Sequence, residues 1–272
     1  MVSRPDRRMF IAGSLAAFAS CGVKPLRAEP KTNGTPDDLS GELSRIERTS
    51  GGRLGVCFMD GQSGLAFGHR INDLFPMCST FKVLAVAAAL AQVDSKRLDL
   101  RQTLSINPED LLKYAPVTSQ HLGLPGMTLG DLCEAALTLS DNTAANLILR
   151  SIGGPVQVTR FARLLDDSIT RLDRAEPTLN EATPGDRRDT TTPLAMAKDL
   201  RKLFCGSVLS GASRSLLKEW MIACKTGDKK IRSGFSKSFV IADKTGSGDH
   251  NTSNDVAVIW PASNQSPLIL TV

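Results

Sequence analysis

The stretch 238-SFVIADKTGSGDHNTSNDVAVIWPASNQSPLILTV-272 decides the fold. It holds three apolar runs, SFVIADK (238–244), NDVAVIW (254–260) and PLILTV (267–272), each of strand length and rich in Val, Ile and Leu. Gly, Asp, Asn, Ser and Pro fill the gaps between them, and those residues supply turns. Near the other end, RLGVCFMD (53–60) reads as a strand, and Asp60-Gly61 is a hairpin signal into GLAFGHR. A helix before it, reaching about Thr49, is stopped by Gly51-Gly52. Between the two ends the pattern is helical. FKVLAVAAALAQVD (81–94) is apolar on nearly every face, which predicts a buried helix. A helix over about 129–139 starts behind Thr128 with Asp131 three residues on, a capping-box arrangement. Another, NTAANLILRSI (142–152), ends at Gly153-Gly154, and helices resume from Pro193. Residues 170–190 lack periodicity and read as a long ordered loop, and long loops tend to be functional. Two strands early, three late and helices between them predict an α/β (α+β) fold: an antiparallel five-stranded sheet flanked by helices, with an inserted all-helical lobe.

Hydrophobic residues make up 41% of the 272 and charged residues 22%, an ordinary globular balance. The net charge of +5 looks like a nucleic-acid signal until it is divided along the chain. Residues 1–28 carry Arg4, Arg7, Arg8, Lys24 and Arg27 against Asp6 alone, so nearly all of the excess belongs to a leader. Nucleic acid is not an expected partner. In the leader, a basic stretch precedes an apolar run from Met9 to Ala19, too short to span a bilayer stably, which is the pattern of an export signal. Arg7-Arg8 before Met9-Phe10-Ile11 resembles a twin-arginine variant. Phe18-Ala19-Ser20-Cys21 is similar to a lipoprotein cleavage box, with Phe where Leu is usual; cleavage near Ala28 would instead give a soluble product. The soluble, periplasmic or secreted form is the expectation, with no stable membrane span. The polar segment 29–37 reads as a linker.

Six cysteines occur, none in C-x-x-C spacing, and His69, His121 and His250 sit in unrelated contexts with no H-E-x-x-H. No metal site and no cofactor are expected, and the thiols read as buried structural groups.

Three constellations carry chemistry. Ser79-Thr80-Phe81-Lys82 opens the buried helix; a Ser and a Lys three apart share one helix face, so the amine can reach the hydroxyl. A serine hydroxyl is a weak nucleophile unless a neighbouring base takes its proton, and burial lowers a lysine pKa toward that task. The helix N-terminus adds free N–H groups where an oxyanion would form. Ser140-Asp141-Asn142 lies between two helices and alone is a good N-cap sequence. Lys244-Thr245-Gly246 ends the apolar strand, where a Lys and a hydroxyl can line a cleft. A second K-T-G, Lys225-Thr226-Gly227, follows a run from Leu216 to Cys224 that reads as a helix, so it is placed at a helix C-terminus with no reason to line a cleft.

In this order, S-x-x-K, S-D-N and K-T-G form the signature of class A β-lactamases and penicillin-binding proteins. Together with FPMCSTFK, LTLSDNTAANL, RLDRAEPTLN, RDTTTP and ADKTGSG, they make the chain from about residue 38 to its end closely resemble the class A serine β-lactamases. The resemblance implies Ser79 as nucleophile, Lys82 as a proton acceptor in acylation and Ser140 as proton relay to the leaving nitrogen. It implies that Glu176 and Asn180 hold the deacylating water, with the acylation base either Lys82 or Glu176 through water. Asn142 would meet the substrate's side-chain amide, Lys244 and Thr245 its carboxylate, with Gly246 between them and the strand edge and the Ser247 hydroxyl nearby. Backbone N–H groups of Ser79 and Ser247 would form the oxyanion hole, Tyr114 the aromatic wall, and Arg174 with Asp189 the ion pair at the neck of the long loop. The implied organisation is an export signal at 1–28, a linker at 29–37, an α/β lobe from 38–75 and 188–272, and a helical lobe from 76–187 that includes the loop 170–190. The implied partner is a small-molecule β-lactam met by a monomer. A D-Ala-D-Ala peptidase or penicillin-binding protein, a sensor that stays acylated, and an inactive truncated relative are the alternatives. Glu176 argues for turnover, because hydrolysing an acyl-enzyme needs a base placed on water.

Departures from the family pattern carry expectations too. Cys133 would face Val86 and Cys78 would face Gly248, so neither family disulfide is expected, nor is strong carbapenem hydrolysis. Ser247 with Cys78 resembles enzymes active on cephalosporins as well as penicillins. Relatives continue past PLILTV through a helix that covers one sheet face, so that face is expected to expose apolar side chains. Lys230 lies where others place an arginine, as a point charge without a fork.

Overall fold

The computed structural model describes residues 36–262 and 266–272; the expected export signal, its cleavage alternatives and most of the linker lie outside them. In chain order the first elements are α1 (Pro36–Ser50), β1 (Val56–Asp60), β2 (Ala66–His69), β3 (Phe75–Pro76) and α2 (Phe81–Asp94). Then come β4 (Thr103–Ile106), β5 (Gly123–Thr128), α3 (Leu129–Thr138), α4 (Asn142–Ile152) and α5 (Pro155–Leu164). The last are β6 (Thr190–Thr191), α6 (Pro193–Cys205), α7 (Gly211–Ile222), β7 (Val240–Ser247), β8 (Ser253–Trp260) and β9 (Leu268–Thr271).

The main sheet has five strands in the order β2-β1-β9-β8-β7, and every pairing in it is antiparallel. Successive side chains of a strand point to opposite faces, and both faces are apolar here. Val56 and Phe58 of β1, Ala257 and Ile259 of β8 and Leu270 of β9 join Leu43 of α1 in one core cluster. Their alternates, Cys57, Met59, Val256, Val258 and Ile269, join the larger core with α6 and α2. This alternation explains why strands that read as continuous apolar runs fit an antiparallel sheet: it is covered on both sides. The apolar exposure expected on one sheet face is not observed. Val56, Phe58, Ala257, Ile259 and Leu270 are all buried, with Leu39, Phe235 and Phe239 packed against them.

Helix α2 is the hub of the helical part. Ten consecutive residues, Phe81 to Leu90, are buried, as its all-round apolar sequence requires. Helices α3, α4, α5 and α7 surround it. Thr128 and Asp131 form the capping box of α3, and Asp141 caps α4 by accepting from the Ala144 N–H. Gly153, at φ 101°, ends α4 in a left-handed conformation that suits glycine. The hairpin signalled by Asp60-Gly61 joins β1 to β2 through five residues, with the Asp60 carboxylate accepting from the N–H groups of Gln62 and Ser63. Three features differ from the sequence reading. The pairs β3–β6 and β4–β5 form small separate sheets, and β5 does so despite two glycines and a proline that argue against a strand. Helix α5 was not marked by the apolar pattern. Cys205 is exposed, whereas Cys57, Cys78, Cys133 and Cys224 are buried free thiols.

One buried acid stands outside this apolar logic. Asp199 of α6 is fully buried, and neither carboxyl oxygen finds an N–H or O–H donor. Its carboxyl meets that of buried Asp167, whose oxygens already accept from the Ile169 and Thr170 N–H groups. Burial first, and Asp167 second, push the Asp199 pKa well above the usual carboxylate range, while Lys202 and Arg163 pull it down. A carboxyl whose pKa is raised by folding stabilises the protein below the unfolded pKa and loses that contribution as pH rises through the folded value. Asp199→Asn can donate to Asp167 without a titrating proton. It is therefore expected to raise Tm near pH 8 by about 2–4 °C, the equivalent of about 1 kcal/mol, with the gain shrinking toward pH 4 in a thermal-melt series.

Candidate active site

Ser79 lies in a 3-10 turn, Cys78–Thr80, immediately ahead of α2. The segment leading into it is tied down from three directions. β3 pairs with β6, the Met77 N–H donates to the Asp189 carbonyl at 2.9 Å, and Asn254 Nδ2 donates to the Pro76 and Met77 carbonyls at 2.8 and 3.0 Å. Cys78 is held at φ 45°, a left-handed conformation that a non-glycine residue adopts at a cost. The buried Ser79 hydroxyl donates to Glu176 Oε1 at 3.3 Å. Lys82 Nζ stands 3.1 Å from the same oxygen, with both side chains fully buried. Lys82 also donates to Asn142 Oδ1 at 2.6 Å, the Ser140 carbonyl at 2.8 Å and Ser140 Oγ at 3.3 Å. The sequence places Ser79 and Lys82 on one helix face; with Ser79 in the tighter turn, the two groups meet at Glu176 Oε1. Burial pushes the Lys82 pKa below its ordinary value, against the pull of the Glu176 carboxylate.

Ser140 and Asn142 flank Asp141, whose buried carboxylate accepts from the Val117, Thr118 and Ala144 N–H groups and the Thr118 hydroxyl. That anchoring holds Ser140 at φ 58° and fixes the S-D-N corner. From the opposite side, Lys244 Nζ donates to Ser140 Oγ at 3.0 Å and to the Thr245 carbonyl at 2.8 Å. The Ser140 hydroxyl therefore sits between two buried lysines. Burial, aided by the charge of Lys82, lowers the Lys244 pKa to about 7. Gly246 has to be glycine, because a Cβ there would come within 2.7 Å of the Met77 carbonyl oxygen; β7 lies directly against the turn that carries Ser79. Thr245 is buried, Ser247 exposed, and Tyr114 is half exposed, its carbonyl accepting from the Asn142 N–H at 3.0 Å.

The loop 170–190 carries Glu176 to this cluster. Asn146 of α4 clamps its backbone from both sides, Oδ1 accepting from the Glu176 N–H and Nδ2 donating to its carbonyl, each at 2.9 Å. Asn180 Nδ2 donates to Glu176 Oε2, while Asn180 Oδ1 is buried without a donor. At the neck, Arg174 Nε donates to Asp189 Oδ2 at 2.5 Å, and Asp189 Oδ1 accepts from the Asp173 and Arg174 N–H groups. Asp189 is fully buried, so this pair is no exposed bridge.

The structure thus gathers Ser79, Lys82, Ser140, Asn142, Glu176, Asn180 and Lys244 around one hydrogen-bonded cluster, with Thr245 to Ser247 along its edge. It also adds residues that sequence reasoning missed. Asn146 follows Asn142 by four residues on the same helix, a spacing that would have placed both on one face. Asn254 carried no signal. Thr226 corrects the dismissal of the second K-T-G: its Oγ1 lies 2.6 Å from Thr245 Oγ1, so this segment after α7 packs directly behind the strand-edge motif. Cys78 does face Gly248, whose Cβ would stand 2.7 Å from its sulfur. Among the described residues no cluster of three or more His, Cys, Asp or Glu side chains is placed to hold a metal ion, and none of the described helices is long and apolar enough to cross a membrane.

Comparison with known proteins places this geometry. A model of the β-lactamase enzyme family matches residues 38–272. The chain is 45% identical to β-lactamase CTX-M-8 of Citrobacter amalonaticus over 270 residues, covering 99% of this chain and 90% of the relative. It is 46% identical to β-lactamase OXY-2 of Klebsiella oxytoca over 254 residues, covering 93% and 87%. Among solved structures, the reconstructed last common ancestor of Gram-negative class A β-lactamases is 54% identical, with a TM-score of 0.84 over 86% of this chain and 88% of that one. The putative class A β-lactamase PenP of Rhodopseudomonas palustris is 53% identical, with a TM-score of 0.83 over the same shares.

Removing one partner of a buried ion pair leaves the other uncompensated. Arg174→Ala is therefore expected to lower unfolding stability by on the order of 3 kcal/mol in denaturant titration and to expose the loop 170–190 to proteolysis. A loss below about 0.5 kcal/mol would class the pair with exposed bridges.

Proposed function

The chain belongs to the class A serine β-lactamases and hydrolyses β-lactams, and we propose that it does so through an acyl-enzyme on Ser79 that Glu176 helps to hydrolyse. The observation that carries this reading is the sharing of Glu176 Oε1 by the Ser79 hydroxyl and the Lys82 ammonium. Attack by Ser79 Oγ on the lactam carbonyl forms the ester and breaks the ring C–N bond. The hydroxyl proton passes to the acylation base, Glu176 or the neutral amine of Lys82, and returns through Lys82 to Ser140 as Ser140, held between Lys82 and Lys244, gives its own proton to the departing nitrogen. Backbone N–H groups of Ser79 and Ser247 stabilise the oxyanion, an interaction whose single donors are worth on the order of 100- to 1000-fold in related chemistry. A water then adds to the ester, giving a proton to Glu176, which returns it to Ser79 Oγ as the ester C–O bond breaks. The unpartnered, buried Asn180 Oδ1 beside Glu176 is an acceptor suited to that water.

Lys244 and Thr245 receive the substrate's ring carboxylate beside Gly246, Asn142 its side-chain amide, and Tyr114 walls the entrance. The site lies between an α/β lobe (38–75 and 188–272) and a helical lobe (76–187). A monomer suffices, because a single chain supplies all these groups. Penicillins and cephalosporins are the proposed substrates, with Ser247 and free Cys78 the supporting features. The leader supports export to the periplasm, where hydrolysis confers β-lactam resistance. A peptidase or penicillin-binding reading does not account for Glu176 and its asparagine clamp, which serve deacylation.

Glu176→Ala is expected to accumulate an acyl adduct on Ser79 by mass spectrometry and to lower kcat by about 100- to 10,000-fold. Unimpaired turnover would remove Glu176 from the mechanism, and absence of any adduct or ring-opened product in the parent enzyme would remove Ser79. A second test uses pH. Lys244 loses its positive charge as pH rises through about 7, so KM for a carboxylate-bearing substrate should rise progressively above neutrality in a steady-state pH profile.

A further inference from the structure

The segment Lys225-Thr226-Gly227 is built into the back of the site more tightly than a loop after a helix needs to be. The Lys225 N–H donates to the Thr138 carbonyl at 2.9 Å, fixing one side. On the other, a Cβ at Gly227 would come within 1.8 Å of Asp243 Oδ2, so only glycine lets the backbone lie against β7. Thr226 is held between these two points. Its hydroxyl touches two side chains: Thr245 Oγ1 at 2.6 Å and Cys224 Sγ at 3.3 Å.

We infer that Thr226 is a positioning residue, whose hydroxyl donates to Thr245 Oγ1 and thereby commits the single Thr245 proton to the substrate's ring carboxylate. This rests on the proposed role of Lys244 and Thr245 as the carboxylate anchor. A hydroxyl has one proton and two acceptor lone pairs. A carboxylate only accepts, so Thr245 donates to it when substrate is bound. The 2.6 Å contact with Thr226 then has one possible polarity, with Thr226 as donor.

The test compares a chromogenic cephalosporin as its free acid with the same compound esterified at the ring carboxylate. The parent enzyme is expected to prefer the acid through a lower KM. Thr226→Val keeps the shape and removes the hydroxyl; it should raise KM for the acid about 3- to 10-fold, leave kcat within about 2-fold, and leave the ester unchanged. Thr226→Ser should restore the parent KM. In a Thr245→Val background, Thr226→Val should have no further effect on acid KM, as coupled partners require. If Thr226→Val keeps the full acid-over-ester preference, or impairs acid and ester equally, the inference is overturned while the anchor stands. A parent enzyme indifferent to esterification would overturn the anchor reading and this inference together.

Discussion

Two charges without solvent, Lys82 and Glu176, set the terms for the rest of the molecule. Both side chains are fully buried, 3.1 Å apart at Glu176 Oε1, the atom that also accepts from Ser79. Taking such ions out of water costs several kcal/mol each unless their remaining hydrogen-bonding capacity is met. The structure meets it from elements far apart in sequence. Asn142 and the Ser140 carbonyl satisfy Lys82, and Asn180 donates to Glu176 while Asn146 grips its backbone. A pair assembled in this way is poor at stabilising a fold and well placed to fix the Ser79 hydroxyl beside an amine and a carboxylate.

The cost falls on the loop 170–190, because it delivers the carboxylate without regular structure to hold it. Arg174 and Asp189 close its neck, and the Asp189 carbonyl reaches across to the N–H of Met77, two residues before Ser79. One residue therefore fixes both the loop that carries Glu176 and the turn that carries Ser79. A change at the neck propagates to the Ser79 turn through two hydrogen-bonded steps, which ties the order of the loop to the geometry of the buried cluster.

Regular features of the fold were legible because each had a local cause. The alternation of Val56 with Cys57 and Phe58 with Met59, the all-apolar α2, and the Thr128 and Asp141 caps are written in neighbouring residues. The S-x-x-K, S-D-N and strand-edge K-T-G residues were legible as motifs and meet in space. What failed to show depends on partners distant in sequence. Asn254 reaches the Pro76 carbonyl across the sheet, β5 forms against its own composition because β4 lies alongside, and Asp199 is tolerated inside α6 because Asp167 lies against it. The second K-T-G was misjudged for the same reason. A helix terminus looks remote from a strand edge until α7 packs on β7.

Three of the nine non-glycine residues with left-handed backbone among the described residues lie beside the Ser79 cluster. Cys78 before Ser79, Ser140 at the corner between α3 and α4, and Asp189 at the loop neck all adopt left-handed backbone without being glycine. Each such residue costs on the order of 1 kcal/mol or more and persists only where surrounding contacts over-determine it. Those contacts are visible: Asn254 and β6 for the turn, the Asp141 hydrogen bonds for the corner, Arg174 for the neck. Relaxing any of the three conformations would turn Ser79, Ser140 or the Glu176 loop away from the shared cluster. The buried core around α2 thus supplies stability that the site consumes, and the arrangement of the Ser79 cluster follows from backbone geometry as much as from side-chain identity.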